Sequence, residues 1–304
     1  MTVAQILQFP NGLRGQLNAS EPMSRHVSWR AGGTADRFYL PKDLDDLSDF
    51  LRQLPRAEPL LFVGLGSNLL VRDGGFRGTA ILTHSAKKNA RMDGGRIYAD
   101  AGVASPKVAR FAALQDLEGA EFLAGVPGCV GGALAMNAGC YGGEAWDIVE
   151  RVATIDRSGN LVRRGREEFE IGYRHCAPKP AREEWFAAAW FRLQRGDGET
   201  SRGVMKELLA RRTATQPLSL PNAGSVFRNP PKDHAARVIE SCGLKGFSRG
   251  GARVSEKHAN FIVNPKGAAT ASDIEWLIQH IQRMVYQMKG AVLQTEVRIV
   301  GEAA

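Results

Sequence analysis

The stretch of sequence that decides the fold is Leu60-Leu-Phe-Val-Gly-Leu-Gly-Ser-Asn-Leu-Leu-Val-Arg-Asp73. An apolar run ends at Gly64 and a second apolar run begins at Leu69, so the pattern predicts a strand, a tight loop and a second strand. Gly64 and Gly66 can adopt backbone angles that other residues avoid, and successive N–H groups in such a loop can converge on a phosphate. The two residues after Gly66 can add hydrogen bonds from their side chains.

This loop differs from the dinucleotide-binding fingerprint Gly-x-Gly-x-x-Gly. The third glycine is missing, and Leu69-Leu-Val71 is typical of a strand rather than of a helix. The residues 64–68 are therefore compatible with a phosphate-binding loop, whereas a Rossmann fold is disfavoured. Taken alone, the loop is explained equally well as a glycine hairpin that binds nothing.

Length and charge limit the class of protein. At 304 residues the chain is long enough for about two domains and a large core. Its 34 glycines are clustered rather than periodic, which excludes a collagen-like chain or a flexible linker. The net charge of +8 comes from basic residues scattered among acidic ones. Basic residues scattered in this way disfavour a nucleic-acid partner, and an anionic small ligand would account for the positive net charge equally well.

Cysteine and histidine usage predicts neither a metal site nor a disulfide framework. The four cysteines lack Cys-x-x-Cys spacing, and the six histidines form no ligand cluster with them. The residues Met1-Thr-Val-Ala-Gln5 lack the charged and apolar regions of a signal peptide, and no later run approaches the ~20 apolar residues of a membrane span. We therefore expect a reduced, soluble, cytoplasmic protein without membrane insertion.

Strands and helices are predicted in an irregular order, which indicates an α+β protein rather than a regular series of βαβ units. Apolar residues at helical spacing predict a helix over 44–54, after acidic Asp43 and before Pro55. A second helix is expected to begin with Ser105 as N-cap and Pro106 at its first position.

The C-terminal part contains the strongest helical pattern. Ser272 and Glu275 form the sequence pattern of a capping box, an apolar stripe follows it, and Gly290 ends the helix after Lys289. The residues 291–300 alternate between apolar and polar, which predicts a final strand.

The segment 125–143 holds seven glycines and almost no charge. It is too apolar for a solvated linker and too rich in glycine for an ordinary helix. A wall of backbone against a flat ligand fits this composition, because glycine lets the main chain approach a ring system closely. Tight packing between secondary-structure elements is the alternative explanation.

Three polar residues stand in contexts that could carry chemistry. Ser225 lies in a loop fixed by glycine and prolines, where a serine is often only a turn residue. Arg174 has a donor fork that could hold a carboxylate, although most loop arginines are solvated. Glu296 interrupts an apolar strand, where a carboxylate faces solvent unless it has a function. No Gly-x-Ser-x-Gly motif supports a hydrolase nucleophile.

Several motifs together carry a resemblance to a known family. They are Gly64-Leu-Gly-Ser-Asn68, Pro127-Gly-Cys-Val-Gly-Gly132, Met136-Asn-Ala-Gly139, Tyr173-Arg174, Asn222-Ala-Gly-Ser225 with Asn229, and Glu296-Val-Arg298. In this order, over 27–302, they resemble the motifs of the UDP-N-acetylenolpyruvoylglucosamine reductases. The short connection after Tyr173-Arg174 resembles the second subtype of that family.

The resemblance implies an α+β fold with a two-part FAD-binding region of the PCMH/vanillyl-alcohol-oxidase type and a C-terminal α+β substrate domain. It divides the chain into a first FAD-binding subdomain at 1–86, a second at 87–198 and a substrate domain at 199–290. The strand in 291–304 is expected to pack on the first subdomain. The partners that it implies are NADPH and a UDP-sugar substrate, and no obligate protein partner is evident.

The resemblance also implies a reaction and roles for residues. Hydride passes from NADPH to FAD and then to C3 of the enolpyruvyl group, giving UDP-N-acetylmuramate. Ser225 would give a proton to C2, while Arg174 and Glu296 would stabilise the developing enol. The implied FAD-binding residues are Gly64, Gly66, Ser67, Asn68, Leu69, Pro127, Gly128, Gly131, Gly132, Asn137 and Gly139. The implied substrate-binding residues are Tyr173, Asn229, Lys245 and His258.

The sequence departs from the family pattern in a few places. Cys176 replaces a frequent serine, Thr295 replaces a frequent proline, and Cys129 and Cys140 stand where small residues without a thiol are common. These departures are expected to adjust loop packing without loss of activity. Two other functions remain open from sequence: a different FAD-linked oxidoreductase of the same flavin-binding fold, and a nucleotide-binding protein without catalysis.

Overall fold

The computed structural model describes residues 12–85 and 87–304. The N-terminal residues from Met1 to Gln5 and the ends of the expected first subdomain, 1–11 and 86, lie outside the described residues. The described helices are α1 (Leu44–Gln53), α2 (Ser105–Leu114), α3 (Val130–Ala135), α4 (Gly198–Thr215), α5 (Ala235–Ser241) and α6 (Ala271–Lys289).

The first sheet has four strands and carries the loop 64–68. Its order is Gln16–Pro22, Thr34–Leu40, Phe76–Leu82 and Leu60–Val63. The last three strands are parallel, and the first is antiparallel to its neighbour. Strand Leu60–Val63 ends at Gly64, and strand Leu69–Val71 begins after the loop, which confirms the predicted strand, loop and strand.

The second sheet is antiparallel throughout. Its five strands lie in the order Leu161–Gly165, Val149–Asp156, Glu184–Phe191, Arg96–Asp100 and Arg91–Asp93. Three short antiparallel pairs complete this part: Leu117–Glu118 with Gln194–Arg195, Gly139–Cys140 with Gly143–Glu144, and Phe169–Gly172 with His175–Pro178. The helices α2 and α3 pack against this sheet through the core of the second subdomain.

The C-terminal part has a small antiparallel sheet against α5 and α6. Its strands are Ser248–Arg249, Ala252–Val254 and Ile262–Val263. Most of the apolar stripe of α6 is buried, as predicted, and it packs in one core with Trp29 and Leu70 from the N-terminal part, whereas Met288 at its end is exposed. The Trp29 Nε1–H donates to the Ile262 carbonyl oxygen at 2.7 Å. The core of the C-terminal part is therefore completed by N-terminal residues.

The caps of α2 and α6 differ from the prediction. Thr270 caps α6: its Oγ1 accepts from the Asp273 N–H at 3.0 Å, and the Asp273 carboxylate accepts from the Thr270 N–H at 3.1 Å. The predicted cap Ser272 lies inside the helix, where its hydroxyl donates to Asp73 at 2.7 Å. Ser105 is likewise the first residue of α2, with no side-chain cap. Because Ser and Thr occur at neighbouring positions, the sequence allows the helix to begin at more than one residue. Tertiary contacts decide which of these residues is the N-cap.

The predicted strand over 291–300 is also shorter than expected. Only Arg298–Val300 is a strand, and it pairs in parallel with Leu69–Val71. Thr295 forms a single antiparallel bridge with Phe227. The segment before the strand therefore crosses from the C-terminal part to the loop 64–68. Within 12–85 and 87–304, no helix combines the length and hydrophobicity that a bilayer-spanning helix requires.

Candidate functional site

A cavity of about 870 Å³ lies where the two sheets and the C-terminal part meet. Its size is within the range of small-molecule and cofactor sites. It brings together residues far apart in sequence: the loop 64–68, the segment 125–143, the tip of the hairpin at Arg174, and the residues Ser225 and Glu296. The expected FAD-binding residues that line it are Gly64, Gly66, Ser67, Asn68, Leu69, Pro127, Gly128, Gly131, Gly132 and Gly139.

The loop 64–68 offers free backbone donors to this cavity. Among the hydrogen bonds of the described residues, the N–H groups of Gly66, Ser67 and Asn68 donate to no other part of the chain. Buried or cavity-facing N–H groups need a partner, and three consecutive ones suit an anion. The loop therefore has the chemistry of a phosphate site.

Side chains of the loop fix its position rather than point to a ligand. The Ser67 hydroxyl donates to the Pro127 carbonyl oxygen at 2.9 Å, and the Asn68 amide donates to the Glu296 carbonyl oxygen at 3.1 Å. Gly66 has a φ of +60°, and a Cβ there would collide with the His26 carbonyl oxygen. The loop is thus tied both to the glycine-rich segment and to the C-terminal segment.

The glycine-rich segment is more regular than its composition predicts. The residues Val130–Ala135 form the short helix α3, so the expectation that this segment is not helical is wrong at its centre. Close packing explains the glycine at position 131 of this helix, because a Cβ there would lie 2.9 Å from the Ala101 Cβ. Gly132 lines the cavity, and a Cβ there would meet nothing within 4 Å. A flat ligand can therefore approach the backbone at Gly132.

Arg174 lies at the tip of the hairpin Phe169–Gly172/His175–Pro178, in the left-handed region with a φ of +52°. This conformation is uncommon for arginine and marks a residue held by its surroundings. Its guanidinium donates to the Gly139 carbonyl oxygen at 2.9 Å, and its Nε lies 3.1 Å from Glu296 Oε1. The side chain is 19 % exposed, so Arg174 is not the solvated loop arginine of the default interpretation.

Glu296 is the ion-pair partner of Arg174 and is itself largely buried. Its side chain is 15 % exposed, so the default expectation of a solvent-facing carboxylate is wrong. Burial raises the pKa of Glu296, while the charges of Arg174 and Arg228 oppose that rise. The cavity therefore contains a carboxylate whose proton affinity is increased and whose ionised form depends on two guanidinium groups.

Ser225 reaches the cavity from the loop before α5. The next residue, Val226, is held by the Asn260 carbonyl oxygen and accepts from the Glu296 N–H at 2.8 Å. The Arg228 N–H donates to the Gln294 carbonyl oxygen at 2.9 Å. These backbone bonds place Ser225 and Arg228 beside Glu296, and all three line the cavity.

Asn137, expected to bind the cofactor, does not line the cavity. It is 1 % exposed, and its amide donates to Glu144 at 2.7 Å and to the Gly172 carbonyl oxygen at 3.1 Å. Its Oδ1 accepts from the Trp146 N–H at 3.2 Å. Asn137 therefore fastens the hairpin that carries Arg174 to the glycine-rich segment.

The four residues expected to bind substrate also lie outside the cavity lining. Tyr173 is 50 % exposed and packs beside Arg174. Asn229 accepts from the Ala235 N–H at the start of α5, at 3.0 Å. Lys245 pairs with Glu240 at 2.7 Å, and burial lowers the pKa of His258 near them. In this conformation these groups have protein partners and do not reach the site.

Several arginines that sequence reasoning did not select line the cavity, and two of them are partly buried. Arg212 from α4 is half-buried, and its Nε donates to Gln216 at 2.8 Å. Burial lowers the pKa of Arg212, and no carboxylate of the described residues forms an ion pair with it. Arg228 is the second. Arg228 could have been selected from the sequence because it lies in the same short segment as Ser225. Nothing in the sequence distinguishes Arg212 from other helix arginines.

The three thiols at positions that depart from the family pattern also line the cavity. Burial raises the pKa of Cys129, Cys140 and Cys176 to about 11 in each case. They are therefore neutral near pH 7 and poor nucleophiles, because the thiolate is the reactive form. Cys140 donates to the Phe122 carbonyl oxygen at 3.1 Å, which is a packing contact.

Two family models match the chain. Residues 216–300 match the model described as UDP-N-acetylenolpyruvoylglucosamine reductase, C-terminal domain. Residues 35–165 match the model described as FAD binding domain. The two matches contain the residues 64–68, the glycine-rich segment, Ser225 and Glu296.

Whole-chain relatives agree with these matches. A UDP-N-acetylenolpyruvoylglucosamine reductase of Thiobacillus denitrificans is 56 % identical, with 95 % of this chain and 94 % of that protein covered. The solved UDP-N-acetylenolpyruvylglucosamine reductase of Thermus caldophilus has a TM-score of 0.78 at 30 % identity, covering 95 % of this chain and 99 % of the other. The 6-hydroxy-D-nicotine oxidase of Arthrobacter nicotinovorans shares the fold, with a TM-score of 0.54 at 12 % identity over 95 % of this chain and 88 % of the other.

Proposed function

The chain belongs to the UDP-N-acetylenolpyruvoylglucosamine reductase family, and from its cavity we propose how its own residues perform the reaction of that family. It is an FAD-dependent oxidoreductase that uses NADPH to reduce the enolpyruvyl group of UDP-N-acetylglucosamine enolpyruvate to UDP-N-acetylmuramate.

The residues of the cavity fit FAD. The three free N–H groups of Gly66, Ser67 and Asn68 suit its pyrophosphate. The open space at Gly132 suits a ring system against the backbone. At another part of the lining, the rings of Phe62 and Trp185 stack with their centres 4.5 Å apart and offer an aromatic surface. FAD, when bound, supplies the means to take a hydride from NADPH and deliver it to C3 of the enolpyruvyl group.

The roles of the catalytic residues follow from charge. Addition at C3 moves the electron pair of the C2–C3 double bond towards C2 and the substrate carboxylate. The Arg174 guanidinium, fixed by Gly139 and Glu296, faces that developing charge and lowers the barrier. Ser225 lies in the same cavity and gives its hydroxyl proton to C2. Glu296 orients Arg174 and supplies a group of raised pKa close to the reacting atoms.

The charges that line the cavity suit an anionic substrate. The lining contains two carboxylates, Glu184 and Glu296, and five arginines, Arg174, Arg211, Arg212, Arg228 and Arg298. The substrate carries a carboxylate and a diphosphate, and NADPH carries phosphates, so an excess of guanidinium groups attracts both in turn. The residues Tyr173, Asn229, Lys245 and His258 remain proposed substrate contacts. Tyr173 is beside Arg174 at the tip of the hairpin, and the other three are in the C-terminal part.

The observation that carries this proposal is the Arg174–Glu296 pair, buried in one cavity with Ser225 and the free N–H groups of 64–68. A different FAD-linked oxidoreductase of the same fold would need the flavin-binding features but not this pair. We further propose that the protein acts in the cytoplasm, where it supports peptidoglycan synthesis and thereby cell shape and division. The division at 1–86, 87–198 and 199–290 is likewise our proposal.

The visible spectrum of the purified protein tests the cofactor. A yellow protein with flavin absorbance is expected. A colourless protein that takes up no added FAD would rule out the proposed cavity occupant. Anaerobic bleaching by NADPH, followed by recovery of absorbance with UDP-N-acetylglucosamine enolpyruvate but not with oxidase substrates, separates the reductase from an oxidase.

The variant Ser225→Ala tests the proton donor. We expect recovery of the flavin absorbance by the enolpyruvyl substrate to slow by about 1,000-fold, because a positioned acid contributes on the order of 10²–10⁴ in rate. Bleaching by NADPH should stay nearly unchanged, since that step needs no proton at C2. Stopped-flow absorbance measures both steps, and an equal loss in both would contradict the assigned role.

A further inference from the structure

The side chain of Arg228 lies close enough to Glu296 to affect its pKa, and it has no hydrogen-bond partner in the described part of the chain. It lines the cavity, and its Nε is shielded from solvent with no hydrogen-bond partner among the described residues. An unpaired guanidinium N–H in such a place costs free energy unless a ligand accepts from it. The position of Arg228 therefore calls for an acceptor in the bound state.

The backbone fixes Arg228 relative to Glu296. The segments 226–228 and 294–296 run antiparallel, with hydrogen bonds at both ends and a bridge between Phe227 and Thr295. Val226 and Phe227 are buried in the core at 0 % and 1 % exposure, which anchors the segment. Arg228 consequently reaches the cavity from a rigid element and not from a free loop.

The neighbouring arginine is already engaged by the protein. Arg174 donates to Gly139, and its Nε lies against Glu296, so part of its fork is used for orientation. Arg228 influences Glu296 only through its charge, and within the described residues its guanidinium forms neither a hydrogen bond nor an ion pair. The Nε of Arg174 also lacks a hydrogen bond, but it is ion-paired with Glu296, and another N–H of the same group donates to Gly139. Arg228 therefore has more N–H groups without a protein partner than Arg174 has.

We propose that Arg228 is a further catalytic residue, which donates to the carboxylate of the enolpyruvyl group and stabilises the charge that develops there. This inference rests on the proposed function. When a hydride adds to C3, the C2–C3 π pair moves to C2 and the carboxylate. The proton from Ser225 then forms the C2–H bond. Arg228 lowers the energy of the carboxylate-centred charge in between.

Binding measurements test the proposed contact without turnover. Calorimetry on the FAD-loaded protein compares UDP-N-acetylglucosamine enolpyruvate with its carboxamide analogue, in which the carboxylate charge is removed. Because a hydrogen bond to a charged group contributes about 1.5–3 kcal/mol, Arg228→Met should weaken binding of the carboxylate by about 10- to 100-fold. The carboxamide should bind the variant and the unaltered protein equally. Equal weakening for both ligands, or none, would overturn the assignment.

Kinetics give an independent readout. In Arg228→Met, recovery of flavin absorbance by the substrate should slow by about 100-fold while bleaching by NADPH changes by less than about twofold. Arg228→Lys keeps the charge and should recover part of the rate. Arg237→Met is the matched control, since Arg237 lies on α5, is exposed, and does not line the cavity. Failure of the unaltered protein to use the substrate would instead refute the proposed function.

Discussion

At the residue scale, the site depends on the ion pair between two largely buried side chains, Arg174 and Glu296. Arg174 is held by the Gly139 carbonyl and by Glu296, and it adopts a left-handed backbone conformation at the hairpin tip. Glu296 is held in turn through its backbone by Asn68 and Val226. Each of these two proposed catalytic residues is therefore held by hydrogen bonds from a different part of the chain.

The raised pKa of Glu296 gives a prediction about stability and pH. Its pKa is higher in the folded protein than the ordinary value of 4.5, so the folded state holds the proton more tightly than the unfolded chain. The stability that this group contributes is complete below the unfolded pKa and is lost as pH rises through the folded pKa. Glu296→Gln should therefore raise the melting temperature at about pH 8 and raise it less at about pH 5.

The same variant should lose activity, because Gln cannot pair with Arg174 as an anion does. Melting curves of the FAD-bound protein at several pH values check the stability part, with Glu275→Gln as the comparison, because Glu275 is covered to a similar extent in a different ion pair. A stability difference that does not depend on pH would show that Glu296 is not perturbed by burial.

At the element scale, the proposed site residues lie mainly on short connections between strands and helices, and not on the long helices. The loop 64–68, the hairpin at Arg174 and the crossing segment 294–297 all end at the cavity. The helices stabilise these connections from behind: Asp73, just after the strand Leu69–Val71, accepts from the first N–H groups of α6 at 2.9 and 2.8 Å. The start of α6 is thus bound to the residue that follows the strand Leu69–Val71, and this strand begins directly after the loop 64–68.

The start of α6 yields a prediction. Thr270→Ala removes the cap and should cost about 1 kcal/mol, or about 2 °C in melting temperature. Ser272→Ala removes only an exposed hydrogen bond to Asp73 and should cost less than half as much. Thermal denaturation followed by circular dichroism distinguishes the two residues. If Ser272→Ala were the more damaging change, the cap would be assigned to the wrong residue.

At the scale of the whole molecule, the C-terminal part is not independent of the N-terminal part. Trp29 is fully buried in the core of α5 and α6, and Asn264 donates back to the Trp29 carbonyl oxygen at 2.9 Å. Arg72 and Glu275 add a two-point ion pair, with distances of 2.9 and 2.8 Å. A shared core and ion pair mean that the walls of the cavity are held in register by the same contacts that stabilise the fold.

Trp29→Ala tests this coupling. Removal of a buried aromatic side chain costs about 3–5 kcal/mol, and here the loss should fall on both parts of the molecule. Hydrogen exchange of α6 should become faster together with that of the strand Leu69–Val71. Trp29→Phe keeps most of the ring and should cost clearly less. Unchanged exchange in α6 would show that the C-terminal part is stable without Trp29.

The sequence by itself determined the local geometry and, through motif order, the family and its cofactor. The glycines and apolar runs of 60–71 specify strand, loop and strand, because these depend on backbone freedom and local periodicity. The helices over Leu44–Gln53 and Ala271–Lys289 were likewise predictable from apolar spacing. The extent of the last strand and the exact caps were not, since several starts satisfy the same local pattern.

Only the tertiary structure decided which polar residues face the cavity. Whether Glu296 is exposed depends on the covering hairpin, which is more than a hundred residues away in the chain. Asn137 reads as a ligand by motif, yet its amide is used to hold Gly172 and Glu144. Arg228 is inferred to bind a ligand because its Nε has no hydrogen-bond partner among the described residues. Burial and pairing are properties of the three-dimensional surroundings, so local sequence pattern cannot fix them.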